Sequence, residues 1–335
     1  MTDRAALANR FLAGTRWASA RRAPLAGDAS NRRYERLHLP GGETAVLMDA
    51  PPEKGEDVRP FVRIARHLHG LGLSAPEIFA EDSEQGFLLI EDLGDDLYSR
   101  VIPRQPELER RLYEAATDVL VLLRDAPMPR LEPYGAGRMT ELATLAFSKY
   151  RDPVIGRPDA EAQRRFADRF EDVLIQTTGG IAPVLAQRDY HADNLLWLPT
   201  RQGVERVGLL DFQDAMAAHP AYDLVSLLQD VRRDVPAAIE AAMIDRYIAA
   251  TGVDDHLFRT AYMVLGAQRG LRILGVFGRL GRDYGKPHYV DMIPKVWDTV
   301  VRNLEHPALA PVADLVLNSL PKPAPRVLEA LKQPC

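Results

Sequence analysis

The apolar pattern of the chain changes near residue 93, and no other feature of the sequence restricts the fold as strongly. Before this point, two short β-compatible runs, 33–39 and 43–48, flank a Pro-Gly-Gly turn, an arrangement typical of a hairpin. After it, apolar residues recur at three- and four-residue steps over most of the remaining length, which is the spacing of helices. The sequence therefore predicts an α+β protein with a small antiparallel β part followed by a mainly helical part.

The segments that follow the hairpin complete the first part. Apolar residues of 57–71 recur with helical spacing and predict a helix, and segments 76–80 and 86–90 return to strand character. We therefore predict two lobes, of residues 1–92 and 93–335.

In the second lobe, four amphipathic helices are predicted, with proline at the start of two of them. Their ranges are 106–123, 160–175, 236–250 and 255–277. Two short strands, 195–198 and 204–210, interrupt the helical pattern.

Composition excludes several classes of protein. The chain has 42 Lys+Arg against 47 Asp+Glu, a formal charge of −5, which argues against a general nucleic-acid binder. The single cysteine, Cys335, excludes an intramolecular disulfide and a cysteine zinc site and favours a reducing compartment. Residues 1–10 lack the apolar run of a secretory signal, and no apolar run approaches the length of a membrane span. We expect a cytoplasmic protein that binds neither nucleic acid nor membrane.

Polar residues flank the two strands that interrupt the helices. Asp189 and Asn194 precede the first strand, and Asp211 directly follows the second. A carboxylate can orient a hydroxyl nucleophile and accept its proton, which suits Asp189 to a catalytic role. Amide and carboxylate oxygens are ligands that Mg²⁺ prefers, and a hairpin would bring Asn194 and Asp211 to one ion. The spacing predicts phosphoryl transfer.

This order of residues resembles the small-molecule branch of the protein-kinase fold, the aminoglycoside and choline kinase superfamily, over about residues 25–300. The loop of that superfamily reads H-x-D-x-H-x-x-N; Asp189, His191 and Asn194 match it, and Gln187 stands at the first position. Four further stretches are similar to the anomeric amino-sugar kinases of peptidoglycan recycling, namely 211–215, 219–224, 268–277 and 285–287.

The resemblance implies a bilobed kinase-like fold with ATP as co-substrate between the lobes and Mg²⁺ on its phosphates. It implies an acceptor such as N-acetylmuramate or N-acetylglucosamine, phosphorylated at the C1 hydroxyl during cell-wall recycling. Backbone groups of a hinge strand would bind adenine, and loop 27–34 would cover the phosphates. The implied nucleotide-binding residues are Ser30, Asn31, Arg32, Arg33, Glu91 and Leu93.

One position departs from the family. Where strand three of a kinase carries a lysine for the phosphates, our alignment places Met48, and the following helix offers no obvious glutamate partner. Arg32 or Arg33 can replace this lysine, because a guanidinium binds phosphate with two N–H groups.

The acceptor site is predicted to contain Arg188, Arg269 and Arg272, since a guanidinium matches the lactyl carboxylate of N-acetylmuramate. The alternative for Arg269 and Arg272 is an ordinary solvated helix face. For His191 we favour a buried structural histidine, and for Asp223 a structural acid that accepts backbone N–H groups.

Three other functions stay open at this point. A kinase of the same fold can phosphorylate an aminoglycoside, choline, homoserine or another sugar. A non-catalytic kinase-like binding module is suggested by Met48. A metallohydrolase would use a cluster of Asp189, His191, Asp193, Asp211 and Asp214.

Overall fold

The computed structural model describes residues 4–25 and 31–333. The strands are β1 Arg21–Leu25, β2 Arg33–His38, β3 Thr44–Asp49, β4 Ile78–Asp82, β5 Phe87–Glu91, β6 Val184–Ala186, β7 Leu195–Trp197, β8 Val207–Leu209 and β9 Met216–Ala218. The helices are α1 Arg4–Ala13, α2 Arg59–Gly70, α3 Tyr98–Arg104, α4 Glu109–Asp125, α5 Ala136–Ala143, α6 Asp152–Ile155, α7 Ala160–Thr178, α8 Ala221–Leu228, α9 Ala237–Thr251, α10 Asp255–Asp283, α11 Ile293–Leu304, α12 Ala310–Ser319 and α13 Pro325–Lys332.

The chain divides into two compact units. The first unit comprises residues 1–119 and 192–215, and the second comprises 120–191 and 216–335. The α+β fold predicted from the sequence is confirmed by this set of elements. The assignment of residues 1–92 to a nucleotide-binding lobe stays a prediction.

A five-stranded antiparallel sheet forms the centre of the first unit, with the order β1-β2-β3-β5-β4. The predicted hairpin corresponds to β2 and β3, and the strands predicted at 76–80 and 86–90 appear as β4 and β5. Strand β1 was not predicted, because its two arginines and Pro24 give it no apolar alternation. Its place at the sheet edge explains the proline, which cannot donate to a ladder.

The two faces of this sheet have different environments. One face packs on α1 through a buried cluster of Leu37, Ala45, Leu47, Phe87 and Leu89 with Ala8, Leu12 and Trp17. Side chains alternate along a strand, so residues paired with each other across strands share a face. Tyr34, Met48 and Leu88, which pair in register, therefore lie on the face opposite α1.

The hairpin of β7 and β8 also belongs to the first unit. Our expectation of a strand over 204–210 was wrong in its first half, because residues Gly203–Arg206 form a 3-10 turn before β8 begins. Gly203 adopts a left-handed φ of 53°, and the Ser74 hydroxyl donates to the Glu205 carbonyl at 2.7 Å. The turn and this hydrogen bond take the place of the backbone hydrogen bonds that a longer β8 would make with β7.

Helices dominate the second unit, which also contains the short pair β6 and β9. Helix α10 has 29 residues and extends beyond the predicted end at 277. Gly278 weakens an isolated helix but permits close packing, since a Cβ there would lie 2.3 Å from the Lys149 carbonyl oxygen. Within the described ranges, no helix combines the length and apolarity needed to cross a bilayer.

Candidate active site

A tight loop after β6 carries Asp189 in the second unit. Asp223, on α8 and 3% exposed, accepts hydrogen bonds from the backbone N–H groups of Gln187 at 2.6 Å and Arg188 at 2.9 Å. Burial raises the pKa of Asp223 to about 6, against the effect of these two donors. The structural role predicted for Asp223 is confirmed, since its carboxyl fixes the start of the loop.

Arg188 holds a left-handed backbone with a φ of 72°. This conformation costs a non-glycine residue about 1–2 kcal/mol, and such strain is found at functional sites. Its carbonyl accepts hydrogen bonds from the Ser226 hydroxyl at 3.2 Å and from Arg269 Nη1 at 2.9 Å. These bonds and the Asp223 contact offset the strain and fix the backbone immediately before Asp189.

The carboxylate of Asp189 lies in a positive environment. Arg269 Nη2 is 3.7 Å from Asp189 Oδ1. Burial alone would raise the pKa of Asp189, but the charges of Arg269 and Arg272 outweigh it and lower the pKa below its usual value. Asp189 is therefore ionised at neutral pH and can accept a hydrogen bond from a hydroxyl group.

His191 is buried and neutral. Burial, together with the positive charges of Arg232 and Arg269, lowers its pKa to about 3. A neutral imidazole is what the structural interpretation of this residue requires.

Three arginines and two tyrosines form what we call the arginine–tyrosine cluster: Arg188, Arg269, Arg272, Tyr134 and Tyr222. The Arg188 guanidinium carbon lies 5.5 Å from the Tyr134 ring centre, and that of Arg269 lies 5.9 Å from Tyr222. The two tyrosine rings meet edge to face at 5.1 Å. The Arg269 side chain is only 6% exposed, so a solvated helix face is excluded for this residue.

The sequence did not point to the tyrosines of this cluster. Tyr134 comes from a loop 88 positions before Tyr222, and no local period links them. The signal for Tyr222 was its place in the stretch 219–224, which belongs to the family resemblance.

Asn194 and Asp211 meet at the base of the β7–β8 hairpin in the first unit. Asn194 Nδ2 lies 3.4 Å from Asp211 Oδ2, and Gln213 Nε2 donates to Asp211 Oδ1 at 2.6 Å. Asp211 has a left-handed φ of 57°, and the Phe212 ring that follows it packs on Phe61 at 4.9 Å. The structure brings these two polar side chains together, and their role as metal ligands stays a prediction.

A metallohydrolase cluster is not present in the described part of the chain. No group of three or more His, Cys, Asp or Glu side chains in residues 4–25 and 31–333 is arranged to hold a metal ion. The described residues therefore give no support to the alternative that used Asp193 and Asp214.

The position of the missing lysine is filled by an apolar side chain. Met48 is 1% exposed and pairs in register with Tyr34 and Leu88. Arg32 instead binds Glu56, with Nε 2.9 Å from Oε2, and the Asn31 N–H donates to Glu56 Oε1 at 3.0 Å. Glu56 was missed because it precedes α2, whereas the kinase pattern places the acid on the helix.

Arg33 lies on the α1 face of the sheet, where it lines a small cavity with Arg4, Glu35 and Asp49. Adjacent Arg32 and Arg33 thus have different environments. Ser30 lies outside the described residues.

The predicted hinge is fixed by ion pairs that the sequence did not reveal. Arg36 Nε lies 2.7 Å from Asp92 Oδ2, and its Nη1 lies 2.7 Å from Asp95 Oδ2. Glu91 pairs with Arg201 through its side chain. The Leu93 N–H donates to no acceptor in residues 4–25 and 31–333, so it can donate to a ligand.

Comparison with known proteins gives relatives along nearly the whole chain. One from Caulobacter vibrioides is 39% identical over 92% of this chain and 94% of its own, and one from Pseudomonas aeruginosa is 34% identical over 90% and 89%. Both are named N-acetylmuramate/N-acetylglucosamine kinase.

Solved structures share the fold at low sequence identity. A choline/ethanolamine kinase family protein from Mesorhizobium loti matches with a TM-score of 0.62 and 14% identity over 98% of this chain and 99% of its own. An aminoglycoside phosphotransferase from Streptomyces rimosus, in complex with ADP and streptomycin, matches with a TM-score of 0.52 and 18% identity over 79% and 98%. Residues 21–261 match the phosphotransferase enzyme family. By this match and by its relatives, the chain belongs to the phosphotransferase enzyme family.

Proposed function

We propose that this chain is an ATP-dependent kinase that phosphorylates the C1 hydroxyl of N-acetylmuramate and N-acetylglucosamine in the recycling of cell-wall sugars. The observation that carries the proposal is the 39% identity, over 92% of the chain, to a relative named as a kinase of these two sugars. The site chemistry agrees, because a polycationic acceptor such as an aminoglycoside would be repelled by the arginine–tyrosine cluster.

In this proposal Asp189 acts on the acceptor. The C1 hydroxyl donates a hydrogen bond to the Asp189 carboxylate, its oxygen forms a bond to the γ-phosphorus, and the bond from that phosphorus to the β–γ bridging oxygen breaks. ADP leaves, and the proton of the C1 hydroxyl passes to the Asp189 carboxylate. A carboxylate with a lowered pKa is a weak base, so the proton moves late, which suits the loose transition state of phosphoryl transfer.

Asn194 and Asp211 would hold Mg²⁺. Their amide and carboxylate are the hard oxygen donors this ion prefers, because the Asn194 amide can turn to present its oxygen instead of its nitrogen. Mg²⁺ sites for nucleotides typically use one or two carboxylates and complete their coordination with phosphates and water, which fits a site with a single acid. When bound, the ion would neutralise charge on the β- and γ-phosphates.

A phosphorylation screen tests the acceptor. Purified protein is incubated with Mg-ATP and, separately, N-acetylmuramate, N-acetylglucosamine, glucose, choline, homoserine or kanamycin, and products are identified by mass spectrometry. We expect each of the two amino sugars to gain one phosphate group. Mild acid should remove this phosphate, because an anomeric phosphate is acid-labile. Phosphorylation of choline or kanamycin instead would contradict the proposal. Absence of any product, together with no thermal stabilisation by Mg-ATP, would favour a binding module.

Arg32 is our candidate for the phosphate-binding cation, held in place by Glu56. We expect Arg32→Gln to lower kcat/KM for ATP about 30-fold through a higher KM, because a charge-assisted contact to phosphate is lost. Arg33→Gln should have a much smaller effect, since Arg33 lies on the α1 face. Exposed Arg59, at the start of α2, provides a control through Arg59→Gln. A larger effect at Arg33 than at Arg32 would reverse the assignment.

A further inference from the structure

The arginine–tyrosine cluster is rich in positive charge. It contains three guanidinium groups, all of which act on Asp189, and the charge of Arg269 also acts on Asp223. The two oxygens of Asp223 already accept the backbone N–H groups of Gln187 and Arg188. Both acids are ionised at neutral pH, and neither has an oxygen within salt-bridge distance of Arg272 in the described part of the chain.

Arg269 and Arg272 lie one turn apart on α10 and have different partners. Arg269 donates to the Arg188 carbonyl and faces Asp189, so it holds the loop that carries the reacting carboxylate. Arg272 is partly exposed and lies near the buried Tyr222, whose pKa its charge lowers. In the described ranges, no carboxylate lies within salt-bridge distance of Arg272.

This lack of a carboxylate partner distinguishes Arg272 from shielded arginines elsewhere in the molecule. Four of them have side chains at most 17% exposed, and each is paired with an acid: Arg4 with Asp49, Arg32 with Glu56, Arg36 with Asp92, and Arg151 with Asp152. Burial of a guanidinium is costly without such a partner. Tyr222 compensates in part: burial would raise its pKa, but Arg272 and Arg269 lower it below the usual value.

We propose that Arg272 binds the carboxylate of an acidic amino-sugar acceptor and so determines preference for N-acetylmuramate over N-acetylglucosamine. The inference rests on the proposed function. The two sugars differ in the lactyl ether of N-acetylmuramate, whose carboxylate can pair with the Arg272 guanidinium, and a guanidinium binds a carboxylate with two parallel N–H bonds. Arg269 is a positioning residue that acts through the loop and does not distinguish the sugars.

Steady-state kinetics with both sugars tests this assignment. We expect Arg272→Gln to lower kcat/KM about 100-fold for N-acetylmuramate and less than about three-fold for N-acetylglucosamine. Arg272→Lys keeps the positive charge but lacks the two parallel N–H donors of a guanidinium. Compared with Arg272→Gln, it should therefore recover part of the kcat/KM for N-acetylmuramate. Arg269→Gln should lower kcat for both sugars alike, with Arg269→Lys restoring part of it and the ratio between the sugars unchanged. Arg259 on the same helix, which pairs with Asp245 and Asp255, serves as control through Arg259→Gln.

Equal losses on both sugars in Arg272→Gln, or no loss on either, would overturn the inference. Turnover of either sugar by the unmodified protein tests the proposed function separately, because it does not depend on how a variant changes the kcat/KM ratio between the two sugars. If the unmodified protein phosphorylates neither sugar, calorimetric titration with N-acetylmuramate decides. Binding that Arg272→Gln abolishes supports the inference, and binding that is absent or unchanged contradicts it.

Discussion

Replacing Asp189 by Asn should lower kcat for either amino sugar about 1,000-fold, equivalent to about 4 kcal/mol of transition-state stabilisation, while KM for ATP should change less than about three-fold. The asparagine amide cannot accept the proton of the C1 hydroxyl, and it orients this hydroxyl poorly. Initial-rate measurements with each substrate varied in turn give both constants. Because Arg269 loses its carboxylate neighbour, urea unfolding should be measured in parallel to separate a loss of stability from a loss of catalysis.

Asp193→Asn provides the matched control for Asp189→Asn, since it removes one charge from the same segment four positions later. We expect rates within about three-fold of the unmodified protein. A folded Asp189→Asn variant with more than about one-tenth of normal kcat would contradict the role proposed for Asp189.

The Asp211→Asn change should lower kcat/KM for ATP at least about 1,000-fold, because the carboxylate of the proposed Mg²⁺ site is lost. Asparagine tolerates the left-handed backbone of this position at least as well as aspartate does, so the fold is retained. The Mg²⁺ concentration for half-maximal rate should rise, and the thermal stabilisation by Mg-ATP should largely disappear. The thermal-stabilisation measurement needs no acceptor sugar.

Asp214→Asn is the control for Asp211→Asn, because Asp214 is an exposed acid three positions later in the same segment. Its rates and its Mg²⁺ dependence should match those of the unmodified protein within about three-fold. Unchanged Mg²⁺ dependence in a folded Asp211→Asn variant would place the ion elsewhere.

Local patterns in the sequence predicted the elements of the fold that form from neighbouring residues. The β2–β3 hairpin and α2 follow from alternation and from helical spacing, and both are present. The approach of Asn194 to Asp211 also follows from a local cause, because a short hairpin returns the chain to its starting edge. Such features depend on a period of about 2.0 or 3.6 residues or on one turn, which a short window of sequence contains.

Contacts between distant segments could not be predicted in this way. Strands β6 and β9 have three residues each, too few for a period to be recognised, and they form because they pair with each other. Arg32 binds Glu56, 24 positions away, and we propose this pair in place of the lysine and helix glutamate of the family pattern. The residues around Arg32 and those around Glu56 do not indicate that these two side chains will pair.

The sequence by itself determined the fold class, the helix faces and the order of Asp189, Asn194 and Asp211. Only the tertiary structure decided that Asp223 fixes the Asp189 loop, that Arg33 faces α1, and that Arg269 is buried beside Asp189 while the charge of Arg272 acts on Tyr222. The physical reason is that propensity and periodicity act over a few residues, whereas burial and ion pairing depend on which surfaces meet after long loops have closed.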